Sequence, residues 1–388
     1  MASARPSRIL AVCCGAHFVH DGFTDIIYLL LPVWQGEFGL SLAAAGLLKT
    51  LFSGALASLQ VPAGLLAERV GERRLLALGT FVVAAAYFIA GWSAGFAALA
   101  ACLLLGGAGT SVQHPLSSSL VSRAFEGRPL RTALGTYNFA GDIGKVAVPL
   151  AAASLIALWQ WRVAVIVLAI GGAVAALAIL ILLPRERHAA VAPQATSGKT
   201  VDSGSGFVAL CAIGMIDATT RTGFLTFLPF LFAAKGASVA LIGTALSLIF
   251  AGGAAGKFVC GAVARRVGVL RTVILTEAAT AAGILLLLPL ALAQGFWLLP
   301  LIGVALNGTS SVLYGTVAEL ATPERRARAF GVFYSVTLGA GALAPVAYGA
   351  FSDRLGVPTI LAAIALVVLL VVPLTLPLRR PLALLAQA

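Results

Sequence analysis

The chain alternates long apolar runs with short polar breaks, and the runs divide into twelve segments of helical length. They fall at residues 9–34, 42–66, 74–93, 96–121, 131–157, 161–184, 206–233, 238–263, 272–293, 296–321, 328–351 and 357–378. Each meets the roughly 20 residues that a helix needs to cross a hydrocarbon core about 30 Å thick. One break is long. Pro184 to Ser205 is rich in Ala, Ser, Gly and charge and carries no helical period, so it reads as a flexible linker. The pattern predicts an all-α membrane protein with a six-helix bundle over 1–184, a linker over 185–205 and a second six-helix bundle over 206–388.

The two halves repeat. Pro32, Gly39, Ser41, Gly46, Gly64, Arg69, Gly71 and Arg74 recur at an offset of 197 as Pro229, Gly236, Ser238, Gly243, Gly261, Arg266, Gly268 and Arg271. Farther on, Gly135 and Pro149 correspond to Gly331 and Pro345 at an offset of 196. Six crossings return the chain to the same side, so the repeat is parallel. Its twelve transmembrane helices then form two bundles related by a pseudo-two-fold axis along the membrane normal. Such an arrangement builds a pathway between its halves. Small residues, among them Gly252, Gly256 and Gly261, predict close helix contacts, because packing in lipid relies on backbone approach.

Composition agrees with the pattern. Sixty per cent of the residues are hydrophobic and ten per cent charged, which excludes a soluble domain. The net charge of +12 would suit nucleic acid, but its distribution does not. Numbering the connections alternately from a cytoplasmic N-terminus puts nineteen Lys and Arg on that side, from Arg5 and Arg8 to Arg379 and Arg380. Only Arg162, Lys235 and Arg354 fall on the other side, and Lys49, Lys145, Arg221 and Lys257 fall inside helices. This is the positive-inside bias, and it places both termini in the cytoplasm. The basic residues are topology signals and contacts to anionic lipid, so the bilayer is the expected partner and nucleic acid is not.

Seven charges sit where the membrane penalises them. Asp21 lies near mid-membrane in the first helix, and Asp142, Lys145, Asp217 and Arg221 lie at similar depth in the fifth and seventh. Asp25 and Lys49 lie nearer the outer side at matched depth. Each costs about 2.5–3.5 kcal/mol at a helix centre, so together they must pair or line a wet cavity. Structural pairs would be Asp25 with Lys49, Asp142 with Lys145, and Asp217 with Arg221. The functional alternative is a polar translocation site, with Lys145, Arg221, Lys49 and His114 meeting an anionic group and Asn138, Asp142 and Asp217 orienting it. On the first helix, His17, Asp21, Thr24 and Tyr28 follow i, i+4, i+7, i+11 spacing and share a face, flanked by His20 and Asp25. A histidine beside a buried carboxylate is a candidate proton carrier, so His17, His20, Asp21 and Asp25 form the proton-coupling set. The same histidines could meet a transition metal, but nearby cations and the lack of Cys or Met ligands argue for none. Pro115 breaks the fourth helix beside His114, a wet place to hold a polar ligand.

The loop after the second helix reads Gly64-Leu-Leu-Ala-Glu68-Arg69-Val-Gly71-Glu-Arg73-Arg74. Its glycines permit a tight turn, and Glu68 is positioned to pair with a cation or a helix N-terminus. Contacts of this kind can break and reform as two halves rock, so this loop is the candidate gate. The run resembles the loop motif of the major facilitator superfamily, G-x-x-x-[DE]-[RK]-x-G-x-[RK]-[RK]. Its second copy, Gly261 to Arg271, carries Arg265 at the acidic position.

Within that superfamily the chain is most similar to the fosmidomycin-resistance branch. The resemblance rests on His17-x-x-x-Asp21, on Pro32, on the run Gly107 to Ser118, and on Gly141, Gly144 and Pro149. It is best over 17–150 and weak in the second half, and Asp142 and Lys145 depart from the uncharged residues usual there. It implies an inner-membrane exporter of small polar or anionic compounds, exchanged for protons by alternating access. Uptake of an organic acid with protons on the same fold is the alternative. No enzyme is expected, because neither G-x-S-x-G nor H-E-x-x-H occurs. No cofactor is expected, and the partners are a small-molecule substrate, protons and lipid, with the chain a monomer. At the repeat offset His20 faces Asp217, Asp21 faces Ala218 and Thr24 faces Arg221, so the buried charge is where the copies disagree.

Overall fold

The structure is a computed structural model that describes residues 6–184, 204–320 and 326–379. The expected linker at 185–205 lies outside the described residues up to position 203, as do the basic residues Arg5, Arg185, Arg187, Lys199, Arg325 and Arg380. Nearly every described residue is helical. The first half contains α1 (Pro6–Phe38), α2 (Leu42–Val70), α3 (Glu72–Ala90), α4 (Phe96–Thr110), α5 (Gln113–Ala124), α6 (Gly127–Leu158) and α7 (Trp161–Leu182). The second contains α8 (Gly204–Ala234), α9 (Val239–Val267), α10 (Val269–Leu287), α11 (Leu292–Leu320), α12 (Arg326–Leu355), α13 (Val357–Val368) and α14 (Val371–Leu374), with a 3-10 turn at Leu376–Leu378.

Taking α4 with α5 as one segment, and α13, α14 and the 3-10 turn as another, the described helices fall into the twelve expected segments. Eleven of these are long and apolar enough to span a membrane. The exception is α1. It has 33 residues, but His17, His20, Asp21 and Asp25 interrupt its apolar run. The helix with too short an apolar run is the one that carries the densest polar chemistry.

The repeat is visible in the backbone. α2 and α9 are related by the offset of 197 at both ends, and so are α3 and α10. The turns match as well. Gly39 and Gly236 take φ of 61° and 84°, and Gly71 and Gly268 take 91° and 89°. A side chain is strained in this left-handed region, so both copies need glycine at these turns. Gly71 closes the end of α2 by donating its N–H to the Ala67 carbonyl at 2.8 Å.

The chain divides into two compact units, Met1–Ala190 with Gly236–Ser247, and Val191–Lys235 with Leu248–Ala388. In the first unit α1 packs on α6 and α5, and α3 packs on α7 and α4. One core there gathers Leu76, Leu116, Leu120, Val121 and Tyr137 around Cys13 and Ala16. The α1–α6 contact is unusually close. A Cβ on Gly144 would stand 2.2 Å from the Phe18 carbonyl oxygen, and one on Gly22 would stand 2.4 Å from Val148. In the second unit α8 packs on α12, α13 and α11 around Ile213, Val273, Leu313 and Phe333. Gly252 and Gly256 bring α9 against α11, where a Cβ would meet the carbonyls of Pro300 and Val304 at 2.1 and 2.3 Å. Gly261, expected to make a similar contact, has nothing within 4 Å of its Cβ position, although its neighbour Cys260 packs against Gly308 of α11.

Candidate functional site

The polar face of α1 meets α6 and the start of α5. His17 and Asp21, one turn apart, are both buried, and His17 Nε2 lies 3.2 Å from Asp21 Oδ2. On the other side of the ring, His17 Nδ1 lies 2.8 Å from the main-chain carbonyl of Tyr137. A carbonyl only accepts, so Nδ1 carries a hydrogen. A neutral imidazole protonated at Nδ1 presents a lone pair at Nε2, which a carboxylate repels. The 3.2 Å contact therefore contains a proton, held by the ring as imidazolium or by the carboxyl as acid. Two backbone-anchored helices thus fix a one-proton pair deep in the unit.

Two further groups face this pair. Lys145 Nζ lies 3.4 Å from Asp21 Oδ2, and His114 Nε2 lies 3.9 Å from Asp21 Oδ1. Exposure rises outward across the cluster. The side chains of His17 and Asp21 are 4% and 10% exposed, whereas those of Lys145 and His114 are 32% and 45% exposed. A buried proton pair is thereby connected to an accessible ammonium and an accessible imidazole. The ligand atoms of His17, Asp21 and His114 lie within 4.8 Å of one another, a spacing that could close on a cation. Lys145 already places a positive charge against Asp21, so the donor set suits a proton and an anion better than a metal.

Local sequence explains the arrangement. α4 ends at Thr110 and α5 begins at Gln113. Pro115, in the first turn of α5, has no N–H to continue the ladder from α4. That break sets His114 beside Asp21 and buries Gln113, whose Nε2 donates to Tyr137 Oη at 2.9 Å. The Tyr137 ring lies over His17, with centroids 4.3 Å apart and planes 31° from parallel. Gly141, one turn beyond Tyr137, is the floor of the site. A Cβ there would stand 2.5 Å from His17 Nε2 and 2.7 Å from Asp21 Oδ2. Gly141 and Gln113 entered the sequence reading only as members of the motifs that carry the resemblance, and Tyr137 did not enter it. The available signal was the i, i+4 spacing of Tyr137 and Gly141, which puts both on the α6 face opposite His17.

The other expected residues of the first unit take different positions. His20 turns toward α3, with Nε2 2.8 Å from Thr80 Oγ1. The Thr80 hydroxyl donates to the Leu76 carbonyl at 2.8 Å, so it accepts from His20 Nε2–H. The remaining nitrogen, Nδ1, is buried without a hydrogen-bond partner. Lys49 is 1% exposed. It donates to the Thr24 carbonyl at 2.9 Å, lies 4.2 Å from the Tyr28 ring centre and interacts electrostatically with Asp25. These contacts tie α2 to α1. Asp142 is buried on α6 beside Gly141, and Asn138 is exposed on the same helix.

In the second unit, Asp217 and Arg221 sit one turn apart on α8. Ser310 of α11 bridges them, accepting from Arg221 Nη1 at 3.1 Å and donating to Asp217 Oδ2 at 3.0 Å. Glu277 of α10, 2% exposed, hydrogen-bonds to Asp217 and interacts with Arg221. Glu277 and Ser310 were missed in the sequence. Glu277 had a signal, an acidic residue at the middle of an otherwise apolar segment.

The loop between α2 and α3 uses a different acid from the one expected. Glu68, Arg69 and Arg74 are exposed, whereas Glu72, just past Gly71, pairs with Arg123 of α5 and accepts from Ser119 Oγ at 2.6 Å. Arg73 donates through Nε to the Leu180 carbonyl at the end of α7, at 2.9 Å. Gly64 has nothing within 4 Å of its Cβ position.

Comparison with known proteins agrees with this architecture. A family model described as Major Facilitator Superfamily matches residues 13–209 and again 210–386. The fosmidomycin resistance protein of Escherichia coli (strain K12) is 28% identical over 192 residues, covering 49% of this chain and 46% of that protein. The match thus spans about half the length of that curated relative. Crystal structures of a bacterial homologue of the human lysosomal transporter Spinster share the fold. The inward-facing, unoccupied form has a TM-score of 0.80 at 17% identity over 99% of both chains. The inward-facing, occupied form has 0.79 at 16% identity over 98% of both.

Proposed function

Because the chain belongs to the major facilitator superfamily, and is therefore a multi-pass membrane transporter rather than an enzyme, we propose that it exports a small anionic compound in exchange for protons. The observation that carries this reading is the His17–Asp21 contact, which requires a proton between Nδ1-anchored imidazole and carboxyl. His17 and Asp21 carry the coupled proton, and Lys145 and His114 meet the anionic group of the substrate. Asp21 answers to both. When it is deprotonated, Lys145 is engaged by the carboxylate. When it takes a proton, the ammonium is available to an external anion. Proton and anion therefore bias the same group, which supplies the differential binding that alternating access needs. In this reading Arg221, with Asp142, Asn138 and Asp217 orienting, supplies further polar contacts. Asp25 with Lys49 and His20 with Thr80 brace the helices. The loop from Gly64 to Arg74 is the gate, the chain acts as a monomer in a bacterial inner membrane, and both termini face the cytoplasm.

The fosmidomycin resistance relative makes fosmidomycin, a phosphonate, the first substrate to test. In proteoliposomes, an imposed pH gradient is expected to drive labelled fosmidomycin uphill through the wild-type protein. Asp21→Asn is expected to retain exchange of substrate without a gradient and to lose the gradient-driven component. Lys145→Ala is expected to lose saturable exchange. Gradient-driven transport at the wild-type rate by Asp21→Asn would remove the proton role.

A further inference from the structure

The second unit buries two carboxyl groups in hydrogen-bond contact, and the site just described does not use them as such. Asp217 is 4% exposed and Glu277 is 2% exposed, at the middles of α8 and α10. Two carboxylates cannot hydrogen-bond to each other, because both are acceptors only. The contact needs a proton on one of them. Their surroundings do not support two negative charges either. Arg221 interacts with both, so the trio is neutral only with one proton shared. Ser310 donates to Asp217 Oδ2, and Thr309 contacts Glu277. Of the other packed elements, α13 brings no ionisable side chain within its residues 357–368, α11 brings Tyr314 to the cavity beside Asp217, and α12 brings Tyr334, stacked on Tyr314, and Tyr348, hydrogen-bonded to Thr219.

The two acids differ in access. Asp217 lines a cavity with Arg221, Ser310, Tyr314 and Thr337, and its volume of about 10 Å³ has room for roughly one water. Glu277 does not line it and lies behind Asp217. Its Oε1 is buried without a hydrogen-bond partner. A bare oxygen is far costlier on a carboxylate than on a neutral acid, so the inner group is the one that holds the hydrogen.

We propose that Asp217 and Glu277 form a shared-proton carboxyl pair, a second proton-handling site of this protein separate from His17–Asp21. Glu277 is the inner acid that donates, and Asp217 is the outer carboxylate that exchanges with the cavity. A proton leaves Glu277 O–H for Asp217 and passes from Asp217 to a water entering the cavity, and loading runs in reverse. Arg221 reads the result. With no proton the trio carries a net charge of −1, with one it is neutral, and with two it is +1. Proton loading therefore turns the cavity from one that repels an anion into one that attracts it. The pair stands on its own contacts and does not depend on the proton role of Asp21.

Infrared spectroscopy of the purified full-length protein in detergent tests this without any substrate. At neutral pH the wild type is expected to show a protonated-carboxyl C=O band. Asp21→Asn should keep such a band, and adding Glu277→Gln or, separately, Asp217→Asn to that background should remove it. Transfer to D2O should shift the band, because the cavity exchanges its proton. A pH-indicator dye should register one proton fewer taken up by Glu277→Gln than by the wild type over an alkaline-to-acid jump. Two substitutions at different helices guard against a folding defect, and each variant's thermal unfolding is recorded alongside. In the Asp21→Asn background, where Asp21 contributes no band, a band that survives both substitutions overturns the proposal, as does a band that resists D2O. Failure of gradient-driven transport to depend on Asp21 would leave these outcomes unchanged, so the two readings fail separately.

Discussion

Gly141→Ala is the sharpest structural test of the proton pair, and Gly135→Ala is its control. Both change one residue of α6 in the same way. At Gly141 the added Cβ would lie 2.5 Å from His17 Nε2 and 2.7 Å from Asp21 Oδ2, where ordinary contact begins at 3.4 Å. Relief requires the α1 side chains to retreat by most of an ångström. They are held by the Tyr137 carbonyl and Lys145, so the retreat breaks contacts. Overpacking of this kind costs about 1–3 kcal/mol. Against it stands the helix preference for Ala over Gly, about 1 kcal/mol in favour of the variant. At Gly135 nothing lies within 4 Å, so only the favourable part operates. The preference is common to both variants, and their difference isolates the overlap at about 1–3 kcal/mol. For a unit of this size that corresponds to thermal midpoints separated by roughly 2–12 °C. Unfolding of the two variants in the same detergent measures it. Gly135→Ala should melt at or above the wild type, and Gly141→Ala should melt below Gly135→Ala. Equal midpoints for the two would refute the close approach of α6 to His17 and Asp21.

Two further outcomes follow from the same geometry. The chain has four histidines, so 15N-histidine labelling resolves them individually. His17 is expected to keep Nδ1–H in the wild type and in Asp21→Asn, and a neutral Nε2–H form in the wild type would contradict the bond to Tyr137. At the loop, the Glu72–Arg123 pair is partly exposed, with side chains 13% and 34% accessible. A double-mutant cycle of Glu72→Gln and Arg123→Gln should give a coupling of about 1 kcal/mol or less that shrinks in high salt. A coupling insensitive to salt would mean that the pair is not solvent-screened.

The crossings were legible because lipid imposes one simple rule on every span, a sufficient apolar length. The turns were legible because only glycine tolerates the φ of Gly71 and Gly268. His17 and Asp21 were legible because i, i+4 spacing survives in any helix. The residues that complete the site were not, and for a common reason. Tyr137 supplies a main-chain carbonyl and a ring, Gly141 supplies the absence of a side chain, and Gln113 braces Tyr137. Each matters only once α1 and α6 are known to face each other, and a sequence pattern within one helix does not specify that. The loop shows the same limit. Glu68 carries the motif, but the left-handed turn at Gly71 hands the helix face near Arg123 to Glu72, one residue farther on.

The repeat relates the two buried sites in a way that inspection of either one misses. Adding 197 to His20 and Thr80 gives Asp217 and Glu277, and adding it to Gln113 gives Ser310. The helix bounds of α3 and α10 keep this offset at both ends, so the correspondence is structural. In the first copy the pair of positions holds a histidine–hydroxyl bond, His20 to Thr80 at 2.8 Å. In the second it holds two carboxyls. The duplicated scaffold thus provides the same interhelical polar contact twice. One copy fills it with groups that form a hydrogen bond without sharing a proton, and the other with groups that cannot do so. The first copy instead places its shared proton one position along, at His17–Asp21, where the second has Gly214 and Ala218. In the proposed reading the proton-sharing pair of the first unit lies within α1, facing α6, and that of the second lies between α8 and α10. Gly214 shows why the second unit could not reuse the first position. A Cβ there would meet Phe333 and Thr337 at 2.7 Å, so no imidazole fits. The two copies keep the same helix bounds at α2 and α3 and at α9 and α10, and they differ in where the titratable side chains find room.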